Sequence, residues 1–385
     1  MSGAKTYDVA VVGAGVFGAW TALELARRGK SVLLVEAYGP GHSRSSSGDE
    51  SRIIRMGYGA EEIYTRWSQR SLVRWKELFA ATGNEALFQN TGVLWMAAAG
   101  DPTLRATREV LTRCGVTFRE FGREALASKY PQIGLEEIAE GIFEPESGVL
   151  MARRAVAATV AEAVRTGVEF RAAEIHEPQG TGELREIAST SGKTFAAKEF
   201  VFACGAWLKK LFPKILGERI FVTRQAVFYV SIPAGDTRFS AAALPTWLVQ
   251  NDECYGMPDL ESRGLKIALD RHGEPVDPDT QSRLVTDAEV AEMREYVARR
   301  FPALADAPIA ETRVCQYENT SNGDFLIDRH PELSNVWLAG GGSGHGFKHG
   351  PAMGEYVAGQ LVGGEVAEPR FSLESKKTLQ KRTVY

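Results

Sequence analysis

Cysteine is scarce in this chain, and what there is lies scattered. Four cysteines (Cys114, Cys204, Cys254 and Cys315) fall in 385 residues with no Cys-x-x-Cys spacing, which gives no sign of a zinc site or a disulfide framework. Histidine is nearly as sparse, and six residues without ligand-like spacing point to no metal. No apolar run is long enough to span a bilayer. Neither sign of charge dominates: 45 basic residues against 49 acidic ones give a net charge of -4 and leave no strongly basic face for nucleic acid or a membrane surface. The expected partner is a small molecule and the expected location the cytoplasm. The first apolar run is expected to belong to the fold, since glycines interrupt it and no cleavage-site pattern follows.

Glycine is where the information lies. Residues Tyr7 to Glu36 combine an apolar strand, the run Gly13-Ala-Gly15-Val-Phe-Gly18, a helical segment through Arg28, a second apolar run and an acid at its end. Gly13 permits a tight strand-to-helix turn, Gly15 lets a pyrophosphate approach bare backbone, and Gly18 lets the helix lie close on the sheet. The phosphates then face a positive helix terminus. Glu36 stands where a carboxylate accepts hydrogen bonds from the ribose hydroxyls of an adenosine, which disfavours a 2′-phosphate. Glycine-rich turns alone are common; the flanking strand, helix and acid make this one a dinucleotide clamp. The motif does not distinguish FAD from NAD.

A chain of this length is expected to form two or three compact units, and 44% hydrophobic residues suffice for their interiors. Trp67, Leu72, Trp75, Leu78 and Phe79 at helical spacing predict a helix from about Glu61 to near Gly83. Gly92 to Met96, Ile220 to Val230, Thr246 to Gln250 and Gly264 to Leu269 read as strands of a largely antiparallel sheet. Between them lie a helix from about Arg153 to Arg165 and two apolar runs, Val168 to Phe170 and Glu199 to Ala203, which read as returns to the dinucleotide domain. Thr286 and Glu289 form a capping box ahead of Val290, Met293 and Val297. The glycine-rich stretch from Gly340 to Gly350 leads into a helix-like Pro351 to Leu361 and aims a positive helix end at a ligand. The tail from Lys376 to Tyr385 is expected to be a solvated end. The fold class is therefore α/β: a Rossmann-type dinucleotide-binding domain (1–85, 150–217 and 318–370) with a second, largely antiparallel β-sheet domain for substrate (86–149 and 218–317).

Eight segments, in order, carry a resemblance: the glycine motif, Gly48-Asp-Glu-Ser-Arg52-Ile-Ile-Arg55, Cys204-Gly-Ala-Trp207, Cys254-Tyr-Gly-Met-Pro258, Gly264-Leu-Lys266, Cys315-Gln-Tyr317, Asp324-Phe-Leu-Ile-Asp328 and Ser343-Gly-His-Gly-Phe-Lys348. Together they resemble the FAD-dependent amine oxidases of the monomeric sarcosine oxidase family, within the D-amino acid oxidase-like superfamily. The resemblance implies FAD, carried as a thioether on Cys315 through the 8α-methyl group; taken alone, such a cysteine reads as a small buried hydrophobe. It implies that Arg55 and Lys348 hold a substrate carboxylate, a bidentate guanidinium beside a point charge. It places Lys266 over the flavin ring, where its charge stabilises superoxide as electrons pass to O2. Read by itself, Lys266 is either an inward lysine that needs compensation or the outward residue of an edge strand. Tyr255 and Tyr317 are implied to line the substrate cavity, and Arg52, Ser46, Ser47, Gly205 and Trp207 to lie near the cofactor. Ser343 to Lys348 are implied to surround the pyrimidine edge of the flavin, with Gly344, His345, Gly346, Phe347 and Lys348 as its neighbours and His345 as no catalytic base.

The implied activity is oxidation of a secondary amino acid to an imine that water hydrolyses, with O2 reduced to hydrogen peroxide, by a protein expected to be monomeric. Two departures stand near the expected cavity. Ser45-Ser46-Ser47-Gly48 replaces adjacent histidines of the family, and Asp270 replaces a histidine four residues after Lys266. The carboxylate receptor is retained and the amine end altered, so the expected substrate is not sarcosine itself; a glycated or cyclic amino acid is compatible. Asp270 either contacts that substrate or opens a solvated turn, Asp270-Arg-His-Gly273. Two other readings stay open: a flavin dehydrogenase with a quinone or protein acceptor, against which Lys266 counts, and a flavin-holding protein without turnover, against which Arg55, Lys266 and Lys348 together count.

Overall fold

The computed structural model describes residues 5–377. The strand Thr6–Val12 is apolar on both faces and lies inside a sheet, flanked in parallel by Val32–Glu36 and Thr194–Phe202. Such two-sided burial is what a parallel sheet covered by helices demands. Glu169–Ala172 extends it in parallel beyond Val32–Glu36, and Val336–Gly340 beyond Thr194–Phe202. Leu326–Arg329 and Glu186–Ala188 add antiparallel partners, giving seven strands among the described residues. The apolar runs near 168 and 199 thus return to the first sheet from sequence positions far away. The helix Val16–Arg27 packs beside Gly350–Val362 and Ala152–Arg165, so both glycine-rich entries start their helices over the same sheet.

A second sheet of eight strands runs in the order 309–320, 220–230, 265–269, 254–257, 246–249, 93–97, 140–144, 119–122. Its pairs are antiparallel except Thr246–Val249 against Val93–Ala97. The helix Asp287–Arg300 covers one face, its Met293, Tyr296 and Val297 clustered with Trp247 and Phe301, and Thr286 with Glu289 forms the expected capping box. A small third sheet joins Arg52–Ile54 and Phe88–Gln89 to Gly148–Leu150. The helix Glu62–Thr82 stops at Gly83, whose φ of 65° suits a residue without a side chain. Its Trp75 donates to the Lys348 carbonyl at 3.0 Å, tying this helix to the second glycine-rich loop.

Three features differ from expectation. The helix Pro102–Arg113 and the strands Arg119–Gly122 and Glu140–Glu144 fill a stretch left without assignment. Asp101, which caps that helix by accepting from Leu104 N–H at 2.7 Å just before Pro102, is the signal that marks its start. The strand Ile309–Thr320 is continuous across 317/318, so the division expected there falls inside a strand. Lys376 is not a solvated end: it is buried, with Nζ donating to the Arg370 carbonyl at 2.6 Å and its own carbonyl accepting from Ser321 Oγ at 2.7 Å. Residues 378–385 of that tail lie outside the described residues.

Candidate active site

Gly13 turns the chain at φ 99°, and a Cβ there would lie 2.4 Å from the Ala203 carbonyl oxygen. A Cβ on Gly18 would lie 1.8 Å from the Gly13 carbonyl oxygen. Both positions therefore require glycine. The helix that follows has no acidic residue in its first turn, leaving its positive end uncompensated. Glu36, buried at the end of its strand, accepts from Ala14 N–H at 2.7 Å with one oxygen and from Tyr38 N–H at 3.0 Å with the other, which braces the turn. Each carboxylate oxygen keeps a second lone pair for a ribose hydroxyl. A cleft of about 300 Å³ begins here, lined by Gly13, Gly15, Glu36, Ser46 and Ser47, and continues past Gly205, Trp207, Arg52 and Tyr317 to Gly344, Gly346 and Phe347. Ser47 Oγ accepts from Val16 N–H at 3.2 Å, Ser46 Oγ donates to the Gln316 carbonyl at 2.9 Å, and Trp207 Nε1 donates to Asp279 at 2.7 Å. An unobstructed backbone turn, a helix end with no acid in its first turn and a carboxylate at the second strand fit a dinucleotide.

His345 departs from its expected place. Its ring stacks on Phe325 and meets Tyr64 edge-on, each with centroids 4.9 Å apart, while Nε2 lies 3.2 Å from the Gly323 carbonyl oxygen. Aromatic burial behind the loop wins over a position on the cleft wall. Glu318, by contrast, was not singled out and lines the cleft. It accepts from Gly341 N–H at 2.8 Å, and burial pushes its carboxyl up to about 7.

At the inner end of the cleft Arg52 stands 3.0 Å from Cys315 Sγ through one terminal nitrogen and pairs with Asp49 through the other. Lys266 lies on a strand with partners on both sides, so the edge-strand alternative does not hold. Only 1% exposed, it donates through Nζ to Asp49 Oδ2 at 2.6 Å, the Ser51 carbonyl at 2.8 Å and Ser51 Oγ at 3.2 Å. Burial pulls its ammonium down to about 8; Asp49 resists this and Arg52 adds to it. Burial pushes Asp49 the other way, but Lys266 and Arg52 outweigh it and hold the carboxyl below the usual range.

A second cationic group gathers around Arg55 and Lys348. Both are buried, which rules out two surface cations. The Arg55 guanidinium donates to the Gly57 carbonyl and sits 4.4 Å from the Tyr58 ring centroid and 4.6 Å from that of Trp95. Glu144 fixes this turn by accepting from Met56 N–H at 2.6 Å, Gly57 N–H at 2.9 Å and Trp95 Nε1 at 2.8 Å. Lys348 Nζ donates to Tyr58 Oη at 2.6 Å and the His345 carbonyl at 2.9 Å. Burial first, then Arg55, depress its ammonium strongly. Asp270 faces the same group: burial pushes its carboxyl up to about 6, against the pull of Arg55, Tyr317 and Lys348. It accepts from Tyr317 Oη at 3.1 Å, so the solvated turn is confined to Arg271–Gly273.

Tyr317 connects the two groups. It alternates with Cys315 on one strand, so both side chains leave the same face, and its hydroxyl interacts with that of Tyr255. Tyr58, Trp95 and Glu144 escaped sequence reasoning because each acts through a neighbour distant in sequence. Among the described residues no cluster of His, Cys, Asp and Glu could hold a metal, and no helix is long and apolar enough to cross a membrane.

Residues 8–360 match the family of FAD dependent oxidoreductases designated DAO. The chain belongs to that family. It is 31% identical over 392 residues to the monomeric sarcosine oxidase of Bacillus sp. (strain B-0618), an alignment covering 98% of this chain and 99% of that protein. The structure of L-proline dehydrogenase from P.horikoshii superposes with a TM-score of 0.83 at 22% identity, over 98% of this chain and all (100%) of that one. A modified fructosyl peptide oxidase from Aspergillus nidulans gives 0.84 at 20% identity, over 97% and 94%. At these identities the two structures attest the fold alone. The cofactor left open by the glycine motif is FAD, and the oxidoreductase is a relative of the sarcosine oxidases, as its motifs led us to expect.

Proposed function

We propose that this oxidoreductase is an oxidase of secondary amino acids whose N-substituent is larger or more polar than a methyl group. The observation that carries the reading is the burial of Arg55 and Lys348 near enough to Asp270 for both to act on its carboxyl, which Tyr317 bonds from the strand that bears Cys315. Bound in the cleft, FAD would supply the acceptor for a hydride from the carbon beside the amine nitrogen and the route for its electrons to O2, released as hydrogen peroxide.

The side chains supply the rest. Two buried cations side by side destabilise each other, and a substrate carboxylate relieves both, so binding energy concentrates at that end. The same charges disfavour a protonated amine and favour the neutral nitrogen from which a hydride can leave; water hydrolyses the resulting imine. Asp270 faces the remaining space with a carboxylate that a methyl group cannot satisfy. The hydroxyls of a glycated amino acid satisfy it, whereas a cyclic imino acid leaves it to Tyr317. Lys266 supplies positive charge for reoxidation. Cys315, beside Arg52 at the inner end of the cleft, would hold the flavin through a thioether.

An aerobic peroxide assay over N-methyl, cyclic and glycated amino acids tests the activity. Turnover that bleaches a dye but releases no peroxide would move the protein to the dehydrogenases, and a flavin never reduced by the panel would leave it without this activity. Acid precipitation tests the attachment: the yellow chromophore is expected to pellet with the wild-type chain and to be released from Cys315→Ala.

A further inference from the structure

We propose that Asp49 is a positioning residue for reoxidation, holding the Lys266 ammonium charged and in place so that O2 reduction depends on a carboxylate as well as on a lysine. The inference rests on the reading of Lys266 given above. Three acceptors surround Nζ, two of them oxygens of Ser51, and Asp49 is the charged one. The groups facing Lys266 from the neighbouring elements cannot replace it. Tyr229, opposite in register on the strand Ile220–Val230, presents its ring 5.8 Å away and keeps its proton. Cys315 and Arg313 come from the strand Ile309–Thr320, and Arg313 brings another positive charge. Tyr255 on Cys254–Met257 is likewise held protonated by burial. Glu50 is buried too, but its carboxylate is already engaged by arginines, Arg153 at 2.7 Å and Arg313 at 2.9 Å, with Arg263 at 3.8 Å.

Asp49 also holds Arg52, so one carboxylate sits between two cations that would otherwise repel each other. Remove it, and burial and Arg52 both act against the ammonium. The sign follows: the lysine loses its proton at lower pH than in the wild type, and charge-dependent reoxidation fails first on the alkaline side. A purely structural brace lowers the rate at every pH alike.

The test is rapid mixing of pre-reduced, full-length holoenzyme with oxygenated buffer from about pH 6 to about pH 10, which spans the displaced lysine range. For Asp49→Asn the alkaline limb of reoxidation is expected to move at least about one pH unit toward acid, a loss of about tenfold on that limb, with anaerobic reduction by substrate less affected and Asp49→Glu restoring part of the shift. A profile for Asp49→Asn that keeps the wild-type limb, while Lys266→Met is slow, overturns the proposal and leaves the reading of Lys266 intact. Lys266→Met reoxidising at the wild-type rate overturns that reading instead. Thermal unfolding of the same holoenzymes gives a readout independent of turnover. At about pH 6, where the displaced lysine still carries its proton, Asp49→Asn/Lys266→Met is expected to melt above Asp49→Asn, because the second change removes an uncompensated buried charge. Equal melting temperatures overturn the proposal even where Asp49→Asn reoxidises poorly.

Discussion

A carboxylate shifted into the neutral range beside two cations is a recognition element that pH can switch off. Asp270 is ionised above about 6 and neutral below it. If it accepts hydrogen bonds from a polar N-substituent, kcat/KM for a glycated amino acid should be full above that value and decline as pH falls through it, while a cyclic imino acid keeps a flatter profile. Asp270→Asn should remove the acid limb. It should also cost the glycated substrate about 10- to 100-fold, the equivalent of losing a hydrogen bond to a charged group. Steady-state rates for both substrates over that pH range decide it, and parallel profiles would sink the assignment. At this scale the sequence is legible only where a motif names the residue. Arg55, Lys266 and Lys348 stand in recognisable segments. Tyr58 and Glu144 do not, since a hydrogen bond between Glu144 and the backbone of Met56 leaves no trace in local spacing.

Among the elements, the glycine-rich loop from Gly340 owes its position to a side chain rather than to its own composition. Glu318 takes the Gly341 N–H, and Ser343 N–H reaches the Glu318 carbonyl at 2.8 Å. Its folded-state carboxyl is raised to about 7 from an ordinary value of 4.5. The folded protein therefore binds a proton that the unfolded chain releases, and this stability is full below the ordinary value and lost as pH rises through about 7. Glu318→Gln keeps an acceptor and cannot ionise, so its melting temperature should hold where the wild type declines between about pH 5 and about pH 8. Parallel declines in the two proteins would show that the proton resides elsewhere. A contrasting element is the helix Asp287–Arg300, where Thr286→Ala should cost about 1 kcal/mol in denaturant unfolding by loss of the capping box and leave turnover unchanged. Helices with such caps and steady periodicity are readable. The strand Arg119–Gly122 is not, because it is mostly exposed and shows no alternation.

For the whole molecule, the sequence announced two units but not how they interlock. We propose that the dinucleotide unit and the substrate unit divide near the expected limits, with the continuous strand Ile309–Thr320 as the shared beam that carries Cys315 and Tyr317 in one unit and Glu318 toward the other. Hydrophobic runs revealed which segments return to the first sheet. They could not reveal that Arg55, just past the strand Arg52–Ile54, Asp270, just past the strand Leu265–Leu269, and Lys348, ahead of the helix Gly350–Val362, would face one another, since that depends on register across all three elements. The convergence has a thermodynamic consequence. Two buried cations borne by separate layers weaken the folded state, and a carboxylate placed between them should tie those layers together. A small carboxylate lacking an oxidisable C–H beside nitrogen, added at a hundred times its dissociation constant, should stabilise the holoenzyme by about 2.7 kcal/mol. The primary amide of the same compound should do far less. Arg55→Ala should abolish the difference between acid and amide, leaving both melting temperatures close to that without ligand. Equal stabilisation by acid and amide in the wild type would place the carboxylate receptor elsewhere, and acid-specific stabilisation persisting in Arg55→Ala would take Arg55 out of it.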